Sequence, residues 1–291
     1  MNLRRTSYIF LTLLLFCAVP CFAQDSWENY YRGGLRALQR GDLGAAELLL
    51  KSARLKAELE AEKGNADAPA MIVESYSGIA MVLRQEGRPA EAEQTLREQL
   101  DLLKSFHRGD DDPQTSMTLH NLGLMLWDQE KFAEAENVLK RAVELRKKYD
   151  EEPKRNLAIT LLSLGAVYDR EKKLEDAEAS LLQAREILSK IPADRQTPED
   201  MAAAMRSDHN LAMLFVAHKK YDTAEQYFKK AIQTMEQLYG PESNGLVLYL
   251  SNYARLLKTL KRDAEARELL ERVEKLKQEK SRYEVPKRIN P

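Results

Sequence analysis

The groups in this 291-residue chain that could do covalent, metal or acid–base chemistry are four histidines, two cysteines and 46 carboxylates. A metal site needs three or four His, Cys or carboxylate ligands at matched spacing. None of His107, His120, His209 and His218 has a His or Cys partner at that spacing on its own helix. No glycine-rich phosphate loop, His-Glu-x-x-His run, cysteine pair or Gly-x-Ser-x-Gly elbow occurs. The carboxylates are spread along the whole chain, so no pair stands out as general acid and base. Arg108-Gly109-Asp110 matches an adhesion tripeptide, but it falls in an acidic loop where chance accounts for it. The expectation is a protein without enzymatic activity, metal or cofactor. The chemistry left is recognition, by asparagine amides and a few exposed aromatic and charged side chains.

Those side chains need elements to position them, and the elements repeat. Aligning segments such as "KFAEAENVLKRAVEL" and "KYDTAEQYFKKAI" places Ala46, Ala92, Ala135, Ala177, Ala224 and Ala266 at one position. Twelve residues before each stands Gly or Ala: Gly34, Ala80, Gly123, Gly165, Ala212 and Ala254. Four after each stands a large apolar residue: Leu50, Leu96, Leu139, Leu181, Phe228 and Leu270. Seven after come Ala53, Gln99, Ala142, Ala184, Ala231 and Val273, of which Gln99 departs. Two antiparallel helices approach closely only where side chains are small, and large residues one turn away fill the space to the next pair. No pair can bury its apolar stripe alone, so neighbours must stack. Pro69, Pro113, Pro153, Pro198 and Pro241 precede first helices, where a missing N–H costs nothing. Thr197 and Asp200 have the spacing of a capping box.

This pattern resembles the tetratricopeptide repeat. The small residue is followed three later by Leu83, Leu126, Tyr168, Phe215 or Leu257, and twelve later by the alanine. Ala37 replaces the larger residue in the first unit. The spacing of 42–47 residues and phrases such as "LYGPES" resemble the long-helix subtype of kinesin light chains and many bacterial proteins. The resemblance implies an all-α fold, a right-handed α-solenoid of about six helix-turn-helix repeats. They are placed at about 27–66, 69–108, 113–150, 153–191, 198–239 and 241–280. The polar last helix is expected to cap the stack, and residues 281–291 to be disordered.

The resemblance also implies a function, the binding of a partner peptide or helix in a concave groove lined by the first helices. Family members often hold an asparagine two residues before the small anchor, where its amide can read an extended peptide backbone. Here Asn121, Asn210 and Asn252 stand there; the alternative is a hydrogen bond between adjacent repeats. Beside them come Tyr31, His120 and His209, and farther along the helices Trp127, Asp128, Arg170 and Lys258. Trp127 is the leading candidate anchor, since exposed tryptophan is favoured at interfaces; the alternative is that it folds over a neighbouring repeat.

The first 23 residues form a segment of another kind. Arg4 and Arg5 precede an apolar run from Tyr8 to Val19, and then Pro20-Cys21-Phe22-Ala23. This reads as a secretory signal peptide cut after Ala23. The run is shorter than the ~20 residues a membrane span needs, although an uncleaved anchor is the competing reading. Both cysteines lie inside it, so the mature chain has none, and no Asn-x-Ser/Thr site occurs. A secreted or periplasmic location is expected. The net charge is −1, and −3 without residues 1–23, which gives no global attraction to nucleic acid or anionic lipid. The partner's identity and the oligomeric state are not legible.

Overall fold

A computed structural model describes residues 26–105, 113–151 and 154–283, with side chains to 278. It divides into two compact units, meeting between Gln129 and Glu130. Unit 1 holds α1 (Trp27–Gln39), α2 (Leu43–Glu62), α3 (Ala68–Gln85), α4 (Pro89–Leu103) and α5 (Pro113–Asp128). Unit 2 holds α6 (Phe132–Tyr149), α7 (Arg155–Arg170), α8 (Leu174–Ser189), α9 (Pro198–Ala217), α10 (Tyr221–Tyr239), α11 (Leu246–Thr259) and α12 (Asp263–Tyr283). No strand occurs among the described residues. The signal segment, His107, the Arg108-Gly109-Asp110 tripeptide and Pro153 lie outside the described residues. Of the expected tail, 281–283 continue α12, and the rest also lies outside.

Within each unit every helix packs on the next in sequence, and alternate first helices touch: α1 with α3, α3 with α5, α7 with α9, and α9 with α11. The helix starts follow local chemistry. The Asp42 carboxylate accepts from the N–H of Ala45 at 3.1 Å. Thr197 and Asp200 form the reciprocal capping box. Pro89, Pro113 and Pro198 each open a helix.

The aligned positions do the packing. All six anchor alanines are fully buried, and so are the residues seven further on, Gln99 included. Gln99 donates from Nε2 to Thr118 Oγ1 at 2.7 Å, across to α5. A Cβ built on Gly34 would stand 2.6 Å from Leu50 Cγ, and one on Gly165 2.8 Å from Leu181 Cγ. Leu270 alone of its set is only partly buried.

A second device holds successive repeats together. The residue after each of the first five anchors is glutamate, and it reaches the turn of the following repeat. Glu47 meets Arg88 at 3.5 Å, Glu136 meets Lys173 at 2.5 Å, Glu178 meets Lys220 at 3.7 Å and Glu225 meets Arg262 at 2.6 Å. Glu93 accepts instead from Gln129 at 2.8 Å. Bonds from Arg262, set against some burial and joined by Lys229 and Tyr253, hold the Glu225 carboxyl down at about 2. Burial works to raise Glu136, but Lys140 and Lys173 outweigh it and bring it to about 2.

Candidate functional site

The predicted recognition residues fall on the first helices, and the structure gives most of them work inside the protein. In unit 1, Asn121 Nδ2 donates to Ser77 Oγ at 3.1 Å, joining α5 to α3. Asp128 takes both guanidinium arms of Arg84, at 2.5 and 3.1 Å, and ties the same two helices. His120 is buried, and Trp127 is half-buried. Tyr31 stacks on Trp27 with centroids 5.0 Å apart. Burial, then the nearby Glu74 carboxylate, pushes the Tyr31 phenol up. Trp27 in turn donates to Ser75 Oγ at 2.8 Å, which fixes α1 on α3.

In unit 2, the Asn252 amide lies 3.0 Å from His209 Nε2, joining α11 to α9. The His209 ring packs on Tyr249 and edge-on to Phe228, with centroids 4.6 and 5.9 Å away. Burial lowers its pKa, opposed by a bond with Asn210 and assisted by Arg255. An Asn252 Nδ2 that donates requires the Nε2 of His209 to accept. Asn121 and Asn252 therefore take the repeat-to-repeat option, and Asn210 turns to its neighbour on α9. Arg170 sits 5.2 Å above the Phe132 ring. Lys258 is exposed.

The first helices also leave large apolar side chains open. Met81 on α3 is 54% exposed. It follows the small anchor Ala80, and the same position holds Leu35 on α1, Leu124 on α5 and Met213 on α9, all partly exposed. Met81 and Leu124 stand between the Asn121–Ser77 bond and the Arg84–Asp128 pair, so their helices are clamped on both sides. One turn or more before Met81 lies Glu74, half-buried, with no hydrogen bond or ion pair among the described residues; burial raises its pKa. Tyr31, Glu74, Met81 and Leu124 thus offer one acceptor among soft apolar contacts. Sequence reasoning missed Met81 and Leu124. The signal was present, a large apolar residue next to the small anchor in four of six repeats.

No group of three or more His, Cys, Asp or Glu that could hold a metal occurs among the described residues. Two stretches, 71–148 and 200–279, match the family model for the tetratricopeptide repeat, and together they span more than half the chain. The chain belongs to the tetratricopeptide-repeat family. Its fold is similar to that of BtubC (BKLC) from P. vanneervenii, with a TM-score of 0.66 and 16% identity over 92% of this chain and 97% of that one. A putative kinesin light chain of Podosopora anserina aligns with a TM-score of 0.58 and 20% identity, over 72% of this chain and 97% of its own. PilF of Pseudomonas aeruginosa gives a TM-score of 0.58 and 20% identity over 86% and 91%. At these identities the likeness is one of fold, and it includes the kinesin-light-chain type of repeat. No curated protein matches the chain. Tetratricopeptide-repeat proteins are generally scaffolds for protein partners rather than enzymes.

Proposed function

We propose that this chain is an exported protein-binding scaffold whose first-helix face in unit 1 takes an amphipathic segment of a partner. The observation that carries the reading is Met81, a large apolar side chain 54% exposed on helices otherwise locked by polar clamps. Thioether and leucine surfaces adapt to varied apolar faces, and Glu74 can accept from a partner's N–H or cation. Export rests on residues 1–23. Capture from the envelope fraction of the source cells tests the face. Met81→Asp with Leu124→Asp should abolish capture while the circular dichroism spectrum stays helical. Undiminished capture by the folded variant would refute the reading. Intact mass of the purified native chain tests export: loss of residues 1–23 is expected, and their retention favours a membrane-tethered assembly factor. Among the described residues no helix is long and apolar enough to cross a membrane.

A second reading has its own observation. Leu48, Leu55 and Leu59 lie on one stripe of α2 and are 62%, 54% and 50% exposed. Such a stripe fits a self-associating or structural subunit of an envelope complex that uses its second-helix side. Concentration-dependent sedimentation that disappears in Leu55→Asp would favour it.

A further inference from the structure

Unit 2 contains a cavity of about 520 Å³ between the C-terminal halves of α6 and α8, over the first turn of α7. Leu157 and Ile187 give it an apolar lining, and Lys147, Lys154, Lys190 and Arg195 surround them. Among the described residues Glu186 is the one acidic residue lining it, and Lys190 holds it at 2.6 Å. Unit 1 has a cavity of about 590 Å³ at the corresponding place, between the C-terminal halves of α2 and α4 over α3. Its lining is acidic: Glu58, Glu62, Glu98 and Asp101.

The repeat alignment makes the two cavities comparable residue by residue. Lys147 stands where Glu58 stands, Gln183 where Glu98 stands, and Lys190 where Ser105 stands. Ile187 and Leu102 keep the apolar lining in both. Cations near helix C-termini ordinarily need no explanation beyond the helix dipole. The unit 1 cavity removes that explanation, because the same helix ends there carry carboxylates. The basic lining is therefore a property of this cavity and not of its place in the fold. The units differ in the same sense: residues 130–291 carry 31 Lys and Arg against 28 Asp and Glu, and residues 1–129 carry 14 against 18.

We propose that the unit 2 cavity binds an acidic peptide segment of a partner protein, with carboxylates on the cationic rim and an apolar side chain over Leu157 and Ile187. The volume suits a few side chains, and Gln183 can donate to or accept from peptide backbone. The site is independent of the first-helix face of unit 1.

Fluorescence anisotropy of a labelled Glu-Glu-Leu-Glu-Glu-Ile peptide, added to the full mature chain, tests the proposal. Saturable binding is expected, weakening with salt. The double variant Lys147→Glu, Lys190→Ser reproduces unit 1 chemistry and should weaken binding about tenfold or more. Both side chains are at the surface, so the variant should keep the wild-type helical spectrum. The Gln-for-Glu peptide should not bind. Met81→Asp should bind like the wild type, which separates this site from the first-helix face. Equal affinity for the double variant, or for the Gln peptide, would overturn the proposal. So would loss of binding in Met81→Asp, or a Lys147-dependent preference for phosphatidylglycerol vesicles over the peptide.

Discussion

Glu58 on α2 and Lys147 on α6 occupy one position of the repeat, twelve residues beyond the anchor alanine. One lines an acidic cavity and the other a basic one. Ala46 and Ala135, the anchors themselves, are equally buried. The turns differ too. Unit 1 uses Gly41 and Gly87 at its left-handed turn position, with φ of 75° in both. Unit 2 places Glu130, Lys172, Lys219 and Lys261 at the same position, with φ between 57° and 64°. Packing thus holds a few positions to small or large apolar residues, while turn chemistry and surface charge vary freely around them. Repeats of this kind keep one interior and display many exteriors.

The shared interior is the part most easily broken. Gly165→Val puts a side chain where even a Cβ would stand 2.8 Å from Leu181 Cγ. It should cost about 2 kcal/mol by urea denaturation. Gly34→Val should cost a similar amount, since Leu50 crowds it in the same way. A neutral result in one unit would mean that the two interiors are not equivalent.

The glutamate link between repeats should matter less. Glu225→Gln removes a carboxylate that bonds to Arg262, Lys229 and Tyr253. Surface screening limits the loss to about 0.5–1 kcal/mol at neutral pH. The sign of its pH dependence is fixed. A carboxyl held at about 2 when folded, against 4.5 ordinarily, stabilises the protein above pH 4.5. That contribution is lost as pH falls towards 2. The gap in melting temperature between variant and wild type should close over that interval. A gap that widens on acidification would contradict the assignment.

The turns give the smallest effect and the opposite sign. Lys261 has φ of 60°, a conformation that strains any residue with a Cβ. Lys261→Gly should relieve that strain, less the entropy glycine adds to the unfolded chain, for a net gain of about 0.5 kcal/mol. Gly87→Lys should lose a comparable amount. Equal melting temperatures for all three chains would show that the turn does not distinguish the units.

The repeat was legible because close packing writes the same residue types at fixed offsets. Gly165 and Ala177, or Ala212 and Ala224, could be paired without coordinates. Gln99 broke the pattern on paper, yet it is buried like its equivalents, with its Nε2 donating to Thr118. The glutamate link was harder to see. Glutamates such as Glu136 and Glu225 read as solvated helix faces, although the Ala-Glu pair recurs at five anchors. Asn121 and Asn252 could serve a peptide or a neighbouring helix, and only the position of Ser77 or His209 decides between those uses. Met81 reads as core beside a buried alanine; its exposure depends on where the next helix ends its contact. The two cavities needed both the alignment and the coordinates, since each is lined from three helices.

The central functional claim is that a partner lies on the first-helix face. A photoreactive p-benzoylphenylalanine placed at Met81 or Leu124 tests it most directly, with Leu48 and Leu59 on α2 as the comparison. Irradiation in cells should give one discrete heteromeric adduct from the first pair of sites and none from the second. Adducts from Leu48 or Leu59 alone, at the mass of two copies of the chain, would contradict the account and favour self-association through α2.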